Sequence, residues 1–95
     1  MRRFVIERDI RGAGKLSPTM LQAIAKTWNA GVRELGAGIQ WEHSYVAGNR
    51  IYCVYLAENE EMIREHARLG NSPCTKISEV VQVIGPVTEF RANQA

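Results

Sequence analysis

The sequence predicts an α+β domain of the ferredoxin-like class: four antiparallel strands with two helices on one face, in the order β-α-β-β-α-β. Three observations predict it. Segments of period-two hydrophobicity alternate with segments of helical period along the 95 residues. The two middle strands are separated only by Gly48-Asn49, a tight hairpin turn. Two strand-helix-strand units joined through such a hairpin make the split β-α-β pattern. The length suits one domain, residues 1–95, with its core in 3–84 and a tail in 85–95.

Each element has a local cause. Arg3 to Asp9 alternates Phe4 and Ile6 against Val5 and Glu7, as a strand does. The cluster Arg11-Gly12-Ala13-Gly14-Lys15 turns the chain. Ser17-Pro18 pairs an N-cap with proline at the first helical position. Leu21, Ile24, Ala25, Trp28, Val32 and Leu35 then form one apolar stripe, ended by Gly36-Ala37-Gly38. Ile39 to Ala47 alternates again, and Ile51 to Ala57 is nearly all apolar or aromatic, as a central strand should be. Asn59 caps a second helix that opens on Glu60-Glu61 and runs to about Leu69, with Met62, Ile63, His66 and Ala67 on one face. After the loop Asn71-Ser72-Pro73, a last strand is expected from Lys76 to about Ile84, broken by Gly85-Pro86. Val87 to Ala95 is expected to extend or fray.

Composition removes several functional classes. The chain is 45% hydrophobic and 23% charged, ordinary values for a globular protein. A net charge of +2 does not by itself call for nucleic acid or anionic lipid. Arg2-Arg3 are followed by three apolar residues before Glu7-Arg8-Asp9, too few for the roughly 7–15 of an export signal. No run approaches the roughly 20 residues of a membrane span. With two cysteines and no export signal, the expected compartment is the reducing cytoplasm, with Cys53 and Cys74 as thiols. Gly12-Ala13-Gly14-Lys15 looks like a phosphate loop, but Asp9 stands where the leading glycine belongs and Leu16 where a hydroxyl should follow the lysine. Arg50-Ile51-Tyr52-Cys53-Val54-Tyr55 lacks the glycine of an RNA-recognition strand, so nucleic acid is not an expected partner.

The sharpest candidate constellation is Trp41-Glu42-His43-Ser44-Tyr45. Regular alternation sends Trp41, His43 and Tyr45 to one face of the sheet, and Glu42 and Ser44 to the other. A two-residue loop pairs 46 with 51, 45 with 52 and 43 with 54, which adds Tyr52 to the histidine face and sets Ser44 opposite Cys53. A three-residue loop would reverse the third strand's assignment. Small side chains such as Ser44 and Cys53 suit the face on which helices pack, leaving the aromatic and histidine face open. Glu7 on the first strand and Glu79 on the last could join His43, since histidine with one or two carboxylates suits a divalent ion such as nickel or zinc. His66, on an apolar helical stripe, is more simply read as a core histidine satisfied by neighbours. Cys53 reads as a buried, inert thiol.

Trp41-x-His43-Ser44-Tyr45-Val46, Tyr52-Cys53-Val54-Tyr55, Glu60-Glu61-x-Ile63-Arg64-Glu65-His66-Ala67 and Ile77-Ser78-Glu79-Val80 together resemble a family of small bacterial domains of unknown function, related to an actinobacterial nickel-binding protein. The resemblance spans most of residues 3 to 84. It implies a ferredoxin-like fold, pairing into a dimeric α/β barrel, and a nickel-binding precedent. It also implies that His43, His66 and Cys53 belong to a recurring pattern, without saying which touches metal.

The leading expectation is therefore a homodimer whose sheets face one another and bind a divalent metal ion, for which the resemblance implies nickel. His43 would ligate it, Glu7 or Glu79 would add oxygen, His66 is a further candidate, and Trp41, Tyr45, Tyr52 and Cys53 would line the pocket. The rival expectation is a dimeric α/β-barrel enzyme or small-molecule binder that uses His43 as acid-base group or anchor.

Overall fold

Ser17 begins the first helix as the sequence requires, its hydroxyl accepting from the Met20 N–H at 3.2 Å. Asn59 does the same for the second, accepting from the Met62 N–H at 3.0 Å, with Glu60 and Glu61 at the favourable end of the helix dipole. The computed structural model describes residues 1–91; of the tail 87–95, expected to extend or fray, positions 92–95 lie outside them. The elements are β1 (Arg2–Asp9), α1 (Pro18–Leu35), β2 (Ile39–Ala47), β3 (Arg50–Ala57), α2 (Glu60–Leu69) and β4 (Lys76–Glu79). Short 3₁₀ turns lie at Ala13–Lys15, Gly36–Gly38 and Pro86–Phe90. The sheet order is β2-β3-β1-β4, with every pairing antiparallel.

One face of this sheet is the core. Phe4 and Ile6 of β1, Ile51, Cys53 and Tyr55 of β3, and Ile39 of β2 are buried with Trp28 of α1 and Ile63 of α2. Each such large apolar side chain contributes about 1.5–3 kcal/mol by leaving water. The other face carries the alternate residues and no helix.

The hairpin turns at Gly48, whose φ of 58° favours glycine. Its tip docks on the loop after β1: Gly14 N–H donates to Gly48 C=O at 2.7 Å, Gly12 N–H to the Asn49 side chain at 2.9 Å, and Ile10 N–H to Asn49 C=O at 3.0 Å. A Cβ on Gly14 would stand 3.1 Å from the Gly48 carbonyl. The glycine cluster that imitates a phosphate loop thus serves close backbone approach.

Two expectations are corrected. The last strand ends at Glu79 rather than Ile84. The register sets Phe4 opposite Glu79, so a strand starting at Arg2 has almost no residue left to pair with Val81 and beyond. Trp41 does not share the face of His43. A bulge between Trp41 and His43 leaves Glu42 without a cross-strand partner and sets Trp41 opposite Tyr55 on the helix side. There Trp41 meets Trp28 edge to face, ring centres 5.4 Å apart, and donates its indole N–H to the Ser44 hydroxyl at 2.9 Å.

The core also holds a cation. Arg8 follows Phe4 and Ile6 on the same side of β1 and is fully buried. Its Nη1 donates to the Pro73 carbonyl at 2.8 Å and its Nη2 to the Tyr55 hydroxyl at 3.1 Å, while Nε has no partner among the described residues. The guanidinium lies 4.9 Å from the Trp28 ring centre and 5.9 Å from that of Tyr55. Hydrogen-bond acceptors and aromatic faces, rather than a carboxylate, hold this charge.

Tyr55→Phe is expected to destabilise the fold by about 1–3 kcal/mol, because it strips a buried cation of an acceptor. Urea unfolding followed by tryptophan fluorescence measures it; an unchanged midpoint would show that the hydroxyl contributes nothing.

Candidate functional site

The helix-free face is built from the residues that alternate with the core. Val5 and Glu7 come from β1, Tyr52, Val54 and Leu56 from β3, and His43 and Tyr45 from β2, with Tyr45 opposite Tyr52 and His43 opposite Val54. His43 is exposed in the single chain, and its ring meets that of Tyr45 edge to face at 5.1 Å. Neither ring nitrogen is committed to a hydrogen bond among the described residues. Tyr45 is 60% exposed, whereas Val5, Tyr52, Val54 and Leu56 are half-buried.

Arginines hold the carboxylates of this face. Glu7, opposite Tyr52 and so one strand beyond β3 from His43, pairs with Arg50 Nη1 at 3.0 Å; Arg50 Nε donates to Asp9 at 2.6 Å. Glu42, at the bulge, pairs with Arg3 at 2.7 Å, and that guanidinium hydrogen bond holds its carboxyl below the usual range. These pairs are substantially exposed, and such pairs contribute little to stability, so a competing cation faces no large barrier in displacing them. Nothing local in the sequence marks Arg3, Arg50 and Glu42 as parts of this face. The register sets Arg50 beside Asp9, which could have suggested that pair.

The remaining candidates lie elsewhere. Glu79, opposite Phe4, belongs to the helix-side row on the far edge strand and pairs with Arg2 at 3.0 Å. Cys53 is buried in the core opposite Ser44 and is a free thiol, as is Cys74. Burial pushes the Cys74 thiol up. His66 is buried under α2, with Nδ1 3.2 Å from the Tyr55 hydroxyl and Nε2 2.9 Å from the Trp28 carbonyl. The structure thus gathers His43, Tyr45 and Tyr52 on one surface with Glu7 across β3, and places Glu79, His66, Cys53 and Trp41 on the other side of the sheet. Among the described residues, no three His, Cys, Asp or Glu side chains come together as a metal site within one chain. An open cleft of about 620 Å³ at the hairpin end is lined by Asp9, Arg11, Ala47, Asn49, Arg50 and Tyr52; it reaches Tyr52 but not His43.

The network around His66 fixes its state. Tyr55 accepts from Arg8, so its single proton goes to Nδ1, and Nε2–H donates to Trp28. The imidazole is neutral. Burial lowers its pKa, and the nearby Arg8 charge adds to that. Gly31 makes room for the ring: a Cβ there would stand 3.0 Å from its Cδ2.

An antiparallel β2-β3-β1-β4 sheet with both helices on one face and a bare second face defines a ferredoxin-like α+β domain. Residues 4–80 match the family "Nickel responsive protein SCO4226-like", and the chain belongs to that family. The fold is similar to that in the crystal structure of SCO4226 from Streptomyces coelicolor A3(2), with a TM-score of 0.72 and 16% identity over 86% of this chain and 99% of that one. At that identity the likeness is one of fold. No curated protein matches the chain. Among the described residues, no helix is long and apolar enough to cross a membrane.

A His66 pKa held below its ordinary 6.5 makes stability pH-dependent. The unfolded chain takes up a proton near that value while the folded ring does not. The contribution of the neutral ring is therefore whole above about pH 6.5 and declines as pH falls toward the depressed folded pKa. Thermal unfolding between pH 7.5 and 5 is expected to show a falling Tm, and His66→Gln to flatten that slope. An equal slope in the two proteins would show that His66 is not its source.

Proposed function

We propose that the chain binds a divalent cation, nickel on the family's description, as a cytoplasmic homodimer whose helix-free faces meet, with His43 as the imidazole ligand. One observation carries this reading: a histidine with both ring nitrogens uncommitted projects from the uncovered face beside Tyr45. Imidazole is a good donor for nickel and zinc.

The donor set of one chain fits half a site. It offers one imidazole, with Glu7 as an oxygen on the same face, and no third donor gathers with them among the described residues. A two-fold dimer presents every donor twice, so a surface with one imidazole per chain supplies two. The same face gives a reason to pair, because Val5, Val54, Leu56, Tyr45 and Tyr52 form an apolar and aromatic patch on a small domain. The thiols of Cys53 and Cys74, unpaired in the structure, suit a reducing compartment.

Titration calorimetry with nickel chloride is expected to show saturable binding. His43→Ala should weaken it at least about a hundredfold, since losing even a supporting group around a metal typically costs about 10–100-fold. Glu7→Gln should have a smaller effect, and Glu79→Gln, on the other side of the sheet, none. Parental affinity in His43→Ala would overturn the assignment.

A further inference from the structure

The segment after β4 has the composition of a strand and nothing to pair with. Val80-Val81-Gln82-Val83-Ile84 holds four β-branched residues in five, which favours extended structure. Its last backbone bond to the sheet runs from Val80 N–H to the Arg3 carbonyl at 2.8 Å, at the first residues of β1. Beyond it Val81 is 88% exposed, Val83 and Ile84 78%, and Phe90, in the following 3₁₀ turn, 79%. Large apolar side chains so densely placed are rarely left in water by a protein that works as a monomer. The molecule is also elongated, with a longest extent of 45 Å and a radius of gyration of 14.8 Å, against about 12 Å for a compact chain of this length. Beyond Val80 the arm lies outside the residues matched to the family, which end at 80.

The chain also carries a surface suited to such an arm. β2, nine residues long, is the edge strand opposite β4, and its outer backbone groups have no partner in the sheet. Beside that edge, on the helix side, an apolar groove of about 190 Å³ runs between α1 and β2, bordered by Leu21, Ile24, Trp28, Trp41 and Val46. The bulge matters here, because it is what turns Trp41 into the groove's wall. A strand laid along β2 would direct alternate side chains toward this groove and toward the helix-free face.

We propose that residues 80–90 are an exchange arm that leaves its own sheet and adds to the β2 edge of a second copy of the chain, its valine, isoleucine and phenylalanine side chains covering the groove between α1 and β2. The inference rests on the homodimer proposed above. Arm and receiving edge occur once per chain, so a two-fold axis satisfies both reciprocally and closes the assembly at two copies. The reach suffices. Six extended residues from Val80 to Gly85 span about 20 Å, against roughly 14 Å across a four-stranded sheet and roughly 10 Å between stacked sheets.

The test uses the full-length chain. Sedimentation equilibrium compares the parent with Val83→Glu/Ile84→Glu, a pair so exposed in the single chain that the monomer fold should not depend on it. The dimer dissociation constant is expected to rise at least about a hundredfold, because four apolar contacts are lost across the two reciprocal arms. In parallel, a photoreactive benzophenone amino acid replaces Gln82 in a mixture of isotopically labelled and unlabelled chains. Inter-chain cross-links are expected at residues 39–47 or on α1 along the groove. If the parent dimerises while the double variant dimerises equally well, or if cross-links fall within one chain or elsewhere on the partner, the arm inference is overturned and the homodimer stands. If the parent is monomeric under the same conditions, the homodimer fails and the exchange fails with it.

Discussion

A single buried cation organises this fold. Arg8 stands in the core with no carboxylate among its contacts, and everything near it is arranged to make that tolerable. Tyr55 turns its oxygen toward the guanidinium, Pro73 turns its carbonyl, and the rings of Trp28 and Tyr55 present their faces. Each of these ties a separate element to β1: α1 through Trp28, β3 through Tyr55, and the loop before β4 through Pro73. The chain continues outward, since a Tyr55 committed to accepting from Arg8 must donate to His66, and His66 must then donate to the Trp28 carbonyl. A polar relay of this kind admits one set of proton positions and, with it, one packing of α2 on α1.

The consequence for the site is a division of labour between the histidines. His66 is consumed by architecture, while His43 is left available on the other side of the sheet. The sheet keeps the two chemistries apart, because a strand's neighbouring residues point to opposite faces. The surface around His43 is apolar and aromatic at its middle and ringed by arginine-carboxylate pairs, so it combines a reason to associate with donors loosely held.

Much of this was legible in the residues. The caps at Ser17 and Asn59, the glycine turn and the two periodicities act locally, and the elements they predict are found. The fold class and the family also followed from the residues. What could not be read was set by distant partners. Strict alternation puts Trp41 on the face of His43, and one extra residue in the strand reverses that; no propensity of Glu42 announces a bulge. The valines after Glu79 favour a last strand through Ile84, yet it stops because β1, some 75 positions earlier in the chain, begins at Arg2. Arg8, a charge beside Glu7 and Asp9, reads as solvated, although its parity with Phe4 and Ile6 puts it inside.

The insertion at Glu42 has a meaning for how such a surface changes over generations. Hairpin strands ordinarily alter one side chain at a time, by substitution. A strand that carries one surplus residue is freer at that point, because losing it would set Trp41 directly beside His43, and ordinary alternation would then keep both on their present sides. A lineage of these domains could therefore gain or shed the residue at this position, and with it the carboxylate that Arg3 holds, while the wall of the cleft and the histidine stay where they stand.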